Sequence, residues 1–327
     1  MSRLIPAILT LAVLAPAAAA QEAVEIREWE VPWADSRPRD PYPGPDGRIW
    51  FVGQRSDYVA ALDPATGEFQ RFELDPGAGP HNLIVAADGG VWYAGNRAAH
   101  IGRLDPATGE IRKFPMPDPA ARDPHTLMFD PAGDIWFTMQ GANMVGKLDV
   151  ETGDVHLIRI PTADGRPYGL TVDPDGRPWF TLFGTNKLGT VDPMTMELEE
   201  VALPRPETRA RRIERTTDGA IWYVDYAAGY VGRLDPATRE VEEWAAPGAA
   251  AARPYGMTVD AADRIWFVES GPDPNRFVGF DPATGAFHVP VAIPSGGGTV
   301  RHMEYDPEED VVWFGTDAGT IGRATLP

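Results

Sequence analysis

The chain has 327 residues, with 48 acidic and 29 basic side chains that give a formal net charge of −19 at pH 7. A surface this acidic repels phosphate backbones, which argues against nucleic acid as a partner. The chain has no cysteine, which excludes a disulfide framework and a cysteine nucleophile.

The first twenty residues have the pattern of an export signal. A basic start at Arg3 precedes the mostly apolar residues 4–14, and the alanines at 17–20 offer a small-residue cleavage site. The apolar run is short and interrupted by prolines, which argues against a membrane span. We predict a Sec-type signal peptide at residues 1–20 and a single domain at 21–327. The mature protein is then periplasmic or secreted and not inserted in a membrane.

A tryptophan followed by phenylalanine or tyrosine recurs seven times along the chain, at intervals of 42 to 47 residues. A period of this length, with about four short strands per unit, is typical of a β-propeller blade. Each repeat buries its sheet against its neighbours, so the repeats must close into a ring. The sequence predicts an all-β, seven-bladed β-propeller with four-stranded blades. The seven blade tryptophans are Trp50, Trp92, Trp136, Trp179, Trp222, Trp266 and Trp313.

Turn residues separate the strands of each repeat. In the fourth repeat we predict strands at residues 168–173, 177–183, 187–191 and 197–203. The first two are joined by Asp175-Gly176, a strong hairpin signal because glycine adopts positive φ without steric cost.

The two ends of the chain predict how the ring closes. The last repeat ends at Pro327, one strand short of a full blade. Residues 25–32 match residues 110–117 and 240–247, which are predicted outer strands. We therefore expect the N-terminal strand to complete the seventh blade and to remove an exposed sheet edge.

Eleven residues before each blade tryptophan lies a side chain that can donate a hydrogen bond, at the start of the predicted innermost strand. Innermost strands line the channel of a propeller, so these side chains should converge on the axis. A water-filled channel that tolerates polar side chains is the structural alternative, but size and polarity recur together and favour a ligand site. This inner set is Arg39, His81, His125, Tyr168, Arg211, Tyr255 and His302.

Four residues after each blade tryptophan comes a second set of side chains. Taken together, the two sets place amides and histidines in blades seven, one, two and three, and aromatic residues in blades four to six. A mouth that is polar on one side and aromatic on the other suits an amphipathic organic ligand, either a small molecule or a cyclic peptide. This rim set is Gln54, Asn96, Gln140, Phe183, Tyr226, Ser270 and Asp317.

The histidines and carboxylates near the same mouth are candidate ligands for a metal ion. Converging imidazoles can hold zinc, but no close-spaced ligand motif supports that use here. Carboxylates near the mouth offer hard oxygen ligands for magnesium, although acids near any opening are expected in so acidic a chain. The candidates are His81, His125 and His302 for zinc, and Asp225, Glu269, Glu304 and Asp317 for magnesium.

The repeated phrase resembles that of the streptogramin lyases, the virginiamycin B lyase family. It begins Arg-Pro-Tyr-Gly-Leu-Thr-Val at Arg166, continues as Trp-Phe-Thr at Trp179 and ends as Asn-Lys-Leu-Gly at Asn186. It returns as Arg-Pro-Tyr-Gly-Met-Thr-Val at Arg253 and as Thr-Ile-Gly-Arg at Thr320. The similarity spans essentially the whole mature chain.

The resemblance implies a magnesium-assisted elimination that opens a cyclic depsipeptide at its ester bond. By position, the implied general base falls on His302 and one implied metal-binding acid falls on Asp317. The other acid falls on Val300, which cannot bind metal, and the substrate-binding histidine falls on Tyr255. Glu304 is then expected to replace the missing acid as the second Mg²⁺ ligand.

Two functions follow as hypotheses. The first is an exported lyase that resembles this family, with His302 as its base and Asp317 and Glu304 as metal ligands. The second is a non-catalytic periplasmic propeller that binds a small molecule, a peptide or a protein. A sugar-lactonase-like propeller is a third option, but propellers of that type have six blades rather than the seven predicted here. We expect a monomer whose ligand-binding residues are Tyr255, Tyr168, His81, His125, Arg39, Arg211, Gln54, Asn96 and Gln140.

Overall fold

The computed structural model describes residues 24–327, so the predicted signal peptide lies outside the described residues. These residues form 29 strands in seven antiparallel sheets. The innermost strand of each sheet contacts those of both neighbouring sheets, including the first with the last, so the ring is closed. The predicted all-β, seven-bladed propeller is confirmed. Across residues 24–327, helical structure is limited to one 3-10 turn, Ala249–Ala251, and no helix is long and apolar enough to span a membrane.

Each innermost strand carries a β-bulge near its start. In blade two, Pro80 pairs with Gly95 and Leu83 pairs with Tyr93, so His81 belongs to a segment with one residue too many for the ladder. A bulge redirects side chains, and here it turns the inner set toward the axis. The innermost strands are β2 (Pro38–Pro43), β6 (Pro80–Val85), β10 (Pro124–Phe129), β14 (Pro167–Val172), β18 (Ala210–Arg215), β22 (Pro254–Val259) and β27 (Val300–Asp306).

The second strand of each blade carries the repeated tryptophan. All seven tryptophans are at most 3% exposed, and they pack between blades. Trp222 of blade five, for example, shares a core cluster with Met257 and Phe267 of blade six. The second strands are β3 (Ile49–Gly53), β7 (Val91–Gly95), β11 (Ile135–Met139), β15 (Pro178–Leu182), β19 (Ile221–Asp225), β23 (Ile265–Glu269) and β28 (Val311–Thr316).

The third strand of six blades places a glycine under an aromatic ring of the second strand. A Cβ atom at Gly146 would lie 2.4 Å from Cζ of Phe137, so only glycine allows this contact. Blade one has Ala60 opposite Phe51 instead. The third strands are β4 (Tyr58–Leu62), β8 (His100–Leu104), β12 (Met144–Leu148), β16 (Lys187–Val191), β20 (Tyr230–Leu234), β24 (Arg276–Asp281) and β29 (Thr320–Thr325).

The fourth strands form the outside of the ring, and the N-terminal strand supplies one of them. β1 (Glu25–Glu30) pairs with β29 over six residues, and the rings of Trp29 and Trp313 lie 5.5 Å apart. The predicted closure of the seventh blade is confirmed. The other fourth strands are β5 (Phe69–Glu73), β9 (Ile111–Pro115), β13 (Val155–Arg159), β17 (Leu198–Ala202), β21 (Val241–Ala245) and, split in two in blade six, β25 (Ala286–Phe287) and β26 (Val291–Ala292).

Candidate functional site

The inner set meets on the axis and forms a closed layer across the channel. We call the end at which the innermost strands begin the upper end and the opposite end the lower end. Arg39 Nη1 lies 2.8 Å from His81 Nε2, and the rings of His81 and His125 are 3.7 Å apart. The His125 ring lies 4.1 Å from that of Tyr168, whose hydroxyl shares a hydrogen bond with that of Tyr255. All five are at most 7% exposed, so they plug the channel rather than line an opening.

One carboxylate, that of Asp40, compensates the positive charge of this layer. Asp40 accepts a hydrogen bond of 3.0 Å from the Asn82 amide and lies 3.4 Å from Arg39 Nε and 3.7 Å from Arg212 Nη2. Burial alone would raise the pKa of Asp40, but Arg39, His302 and Arg212 lower it to about 2. The sequence did not identify Asp40 as a site residue, although it directly follows Arg39.

The aromatic side of the upper end is covered by Arg211. Its guanidinium carbon lies 3.9 Å from the ring centroid of Tyr255, 4.4 Å from Phe183, 4.5 Å from Tyr226 and 5.1 Å from Tyr168. These are cation–π distances. The rings therefore contact a cation of the protein itself, not a vacant apolar wall.

The amides of the rim set lie above this layer. Gln54, Asn96 and Gln140 are half-buried, each in the turn that follows its second strand. The Asn96 amide donates a hydrogen bond of 3.0 Å to the carbonyl of Pro124, and Gln54 accepts one of 3.4 Å from Arg37. The rim is thus polar and partly accessible, while the layer beneath it is closed.

The two predicted magnesium ligands lie at opposite ends of the channel. Glu304 pairs with Trp313 in the sheet, and Asp317 follows the upper end of β28. Asp317 is four positions after Trp313, which is about 13 Å along the chain at 3.3 Å per residue. Glu304 Oε2 instead lies 3.4 Å from Nε2 of His302, whose side chain is 11% exposed.

Asp317 is held by two arginines. It forms a close ion pair with Arg301, and its Oδ1 lies 3.6 Å from Arg37 Nε. Val300 is fully buried and offers no ligand atom. Within residues 24–327, no group of three or more histidines and acids is arranged to hold a metal ion. These residues do not fit magnesium, which stays a prediction from the resemblance.

The remaining metal candidates have structural partners or neighbours. Asp225 pairs with Arg205 at 3.0 Å, and Glu269 forms an ion pair with Arg276. His81 is packed against His125, and burial, with the charge of Arg39, lowers the pKa of His81 well below its usual range. Neither the acids nor the histidines form an open ligand group.

A cavity of about 1,070 Å³ lies at the lower end, and Glu304 is the one predicted site residue that lines it. Its inner wall is formed by the residues that pair with the blade tryptophans on the neighbouring strand. Each of these residues lies eight positions before its tryptophan in the sequence, except in blade seven, where the spacing is nine. That spacing was the signal from which the sequence could have identified them. This lower set is Tyr42, Ile84, Met128, Thr171, Glu214, Thr258 and Glu304, and all but Ile84 line the cavity.

Comparison with known proteins gives a family and a fold. A model of the virginiamycin B lyase family matches residues 10–273 and 150–326. A streptogramin B lyase structure is 27% identical, with a TM-score of 0.83 over 93% of this chain and 98% of that chain. No curated protein sequence matches the chain.

More distant structures share the fold alone. A catalytically inactive virginiamycin B lyase from Staphylococcus aureus with quinupristin is 24% identical, with a TM-score of 0.84 over 93% of this chain and all of that chain. The extracellular domain of a putative hybrid two-component system from B. thetaiotaomicron is 14% identical. Its TM-score is 0.70 over 93% of this chain and 43% of that chain.

Proposed function

The chain belongs to the virginiamycin B lyase family, and we propose that it is an exported propeller that binds an organic anion at the upper end of its channel. One observation carries the proposal: Asp317, at the mouth, is shared by the guanidinium groups of Arg301 and Arg37. Two cations on one carboxylate leave positive charge for a ligand. The signal-like pattern of residues 1–20 supports export.

The positive charge at the upper end extends into the closed layer. Among residues 24–327, the contacts on and above the axis bring five arginines together with two aspartates, in a protein whose formal net charge is −19. Such a local excess attracts anions against the overall charge. These residues are Arg37, Arg39, Arg211, Arg212 and Arg301, with Asp40 and Asp317.

Arg301 and Arg37 are the groups that would contact the ligand. Their side chains are 20% and 28% exposed, so they are accessible, whereas Arg39 and Arg212 are buried. A planar guanidinium donates two parallel hydrogen bonds to a carboxylate, which gives both charge and orientation. A ligand carboxylate would share the pair with Asp317, and the rim amides would bind its polar groups.

Calorimetry with aliphatic and aromatic carboxylates, and with their neutral amides, tests this proposal. We expect the carboxylates alone to bind, and Arg301→Gln to weaken binding about tenfold or more. Arg97→Gln is the charge-matched control, because Arg97 is an exposed arginine in the upper turn of blade two. Absence of carboxylate binding, or an equal loss in both variants, would overturn the proposal.

A second candidate is the family's elimination reaction, with His302 as the base. The observation that favours it is the His302–Glu304 contact of 3.4 Å, because a neighbouring carboxylate orients an imidazole. His302 Nδ1 has no hydrogen-bond partner within residues 24–327 but is buried, so the imidazole would have to shift to bring it to a substrate. It would remove a proton beside the carbonyl of a depsipeptide or related ester. A double bond then forms as the alkyl carbon–oxygen bond of the ester breaks and the acyl group leaves as a carboxylate, and Arg301 would stabilise the charge on the carbonyl oxygen.

Mass spectrometry after incubation with a streptogramin B, with and without Mg²⁺, tests the second candidate. We expect a linear product that His302→Ala reduces by about 10²-fold or more. His156→Ala is the control, because His156 is exposed on an outer strand. If no linear product forms under either condition, binding alone remains as the function of the upper end.

A further inference from the structure

We propose that the lower cavity is a second binding site, for an organic ligand whose ammonium group is held between Glu214 and Glu304. This site lies at the opposite end of the channel from the proposed anion site and does not depend on it. The cavity has a volume of about 1,070 Å³. Small-molecule sites commonly have volumes of about 300 to 1,000 Å³, so there is room for a ligand of many atoms.

The charge of the lower cavity selects the class of ligand. Eight acidic and three basic side chains line it, in contrast to the arginines of the upper end. Glu214 and Glu304 occupy equivalent positions of blades five and seven, each paired with its blade tryptophan. They face the inner wall of the cavity, where a cation would lie between two carboxylates.

Several polar groups in this wall have no partner in the protein. The carboxylate of Glu214 makes no hydrogen bond or ion pair with any residue from 24 to 327. The hydroxyls of Thr171 and Thr258 are likewise without a partner there, although these residues are only 6% and 5% exposed. The oxygen atoms of these side chains are accessible from the cavity, so a ligand in it can donate hydrogen bonds to them.

An ammonium group fits these acceptors better than a metal ion does. It carries a positive charge and three donors, which match two carboxylates and the hydroxyl oxygen of Thr258 in the blade between them. A divalent metal prefers six or more oxygen ligands, and the described residues contain no group of three acids or histidines that could hold one. The volume beyond the wall accommodates the rest of an amine, such as a polyamine chain.

The protonation of Glu214 gives the site a pH dependence. Burial and the charge of Glu304 raise the pKa of Glu214 well above its usual range, and Arg212 opposes this shift. Tyr42, the other titratable side chain of the wall, has its pKa raised by burial and by Glu304, so it stays neutral. A bound cation favours the ionised carboxylate, so binding releases a proton and strengthens as pH rises.

Calorimetry with spermidine tests the proposal, with a neutral diol and Mg²⁺ as comparison ligands. We expect spermidine to bind, more tightly at pH 8 than at pH 6, and Glu214→Gln to weaken binding about tenfold or more. Glu151→Gln removes the same charge from an exposed position and should leave the affinity unchanged. Glu214→Gln should fold, because it removes an unpaired carboxylate, and its melting temperature checks this.

Three results would overturn the proposal. The first is no spermidine binding, and the second is an equal loss in Glu214→Gln and Glu151→Gln. The third is Mg²⁺ binding that depends on Glu214 and displaces spermidine, which would make the cavity a metal site. None of these results bears on carboxylate binding at the upper end.

Discussion

At the scale of single residues, Asp40 is the group on which the closed layer of the channel depends. It is 1% exposed and lies within 3.7 Å of both Arg39 and Arg212. Asp40→Asn keeps the shape but leaves two buried guanidinium groups without an anion. We expect a loss of about 3–5 kcal/mol in the free energy of unfolding, measured in urea. Glu151→Gln is the charge-matched control, and a loss no larger than its own would contradict this role.

Asp40 also predicts how stability depends on acid. Its pKa is about 2 in the folded protein, below the ordinary value of 3.8. The unfolded chain therefore binds the proton first, and the stabilisation present above pH 4 is lost as pH falls from about 4 to 2. The difference corresponds to about 2 kcal/mol. Unfolding curves between pH 2 and 5 should show this component in the native protein and not in Asp40→Asn.

Tyr168 provides a second titration, in the alkaline range. Burial raises its pKa, but Arg211, Arg212 and Arg39 lower it to about 8, against an ordinary value of 10. Above pH 8 the folded state loses the proton before the unfolded state does, so this group increases stability as pH rises from about 8 to 10. Because the hydroxyls of Tyr168 and Tyr255 share a hydrogen bond, the absorbance of tyrosinate should show one tyrosine of this pair ionising near pH 8. Tyr168→Phe should remove that step, and a spectrum with no ionisation below pH 10 would contradict it.

The sequence predicted which residue types converge on the axis but not how they pair. The spacing to the tryptophans depends on the blade repeat, so the inner set could be identified without a structure. The partners of Asp317 could not, because Arg37 comes from blade one and Arg301 from blade seven. Contacts between side chains of different blades depend on rotamers and on the width of the channel, which no local pattern encodes.

At the scale of strands, local signals were predictable and register was not. The turn at Asp175-Gly176 was identified from its dipeptide, and Gly176 has the expected positive φ of 81°. The predicted strand at residues 168–173 is observed as Pro167–Val172. The bulge in each innermost strand has no such signal, and the wall of the lower cavity was missed although its spacing to the blade tryptophans repeats. Register depends on how the two strands pair along their length.

The N-terminal strand predicts a stability effect at this scale. β1 covers the edge of β29 over six residue pairs, and Glu28 accepts hydrogen bonds from Ser295 and Thr320. Deleting residues 22–33 exposes that edge and the face of Trp313. We expect a sharp fall in melting temperature, with aggregation through the open edge.

Trp29→Ala separates packing from backbone pairing in this test. It removes the ring that lies 5.5 Å from that of Trp313 and keeps the strand, so it should cost about 3–5 kcal/mol and leave the protein soluble. If the truncated protein and the intact protein had the same melting temperature, the ring would close without β1.

At the scale of the whole molecule, the two ends of the channel differ in charge. Arginines gather at the upper end, while acids outnumber bases around the lower cavity. The closed layer of the inner set, with Arg39 bonded to His81, separates them. The overall charge of −19 therefore attracts the cation proposed for the lower cavity and repels the anion proposed for the upper end.

Salt dependence should distinguish the two ends. A cation at the lower cavity is attracted by nearby carboxylates and by the whole protein, so both contributions weaken as the Debye length falls from about 10 Å at 0.1 M to about 3 Å at 1 M. An anion at the upper end is attracted by Arg301 and Arg37 but repelled by the net charge of −19. Salt screens that repulsion as well as the attraction, so the two effects offset each other. Calorimetry across this range should give a steep loss of spermidine affinity and a shallow change for a carboxylate. If the two affinities depended equally on salt concentration, the net charge of the protein would not distinguish binding at the two ends.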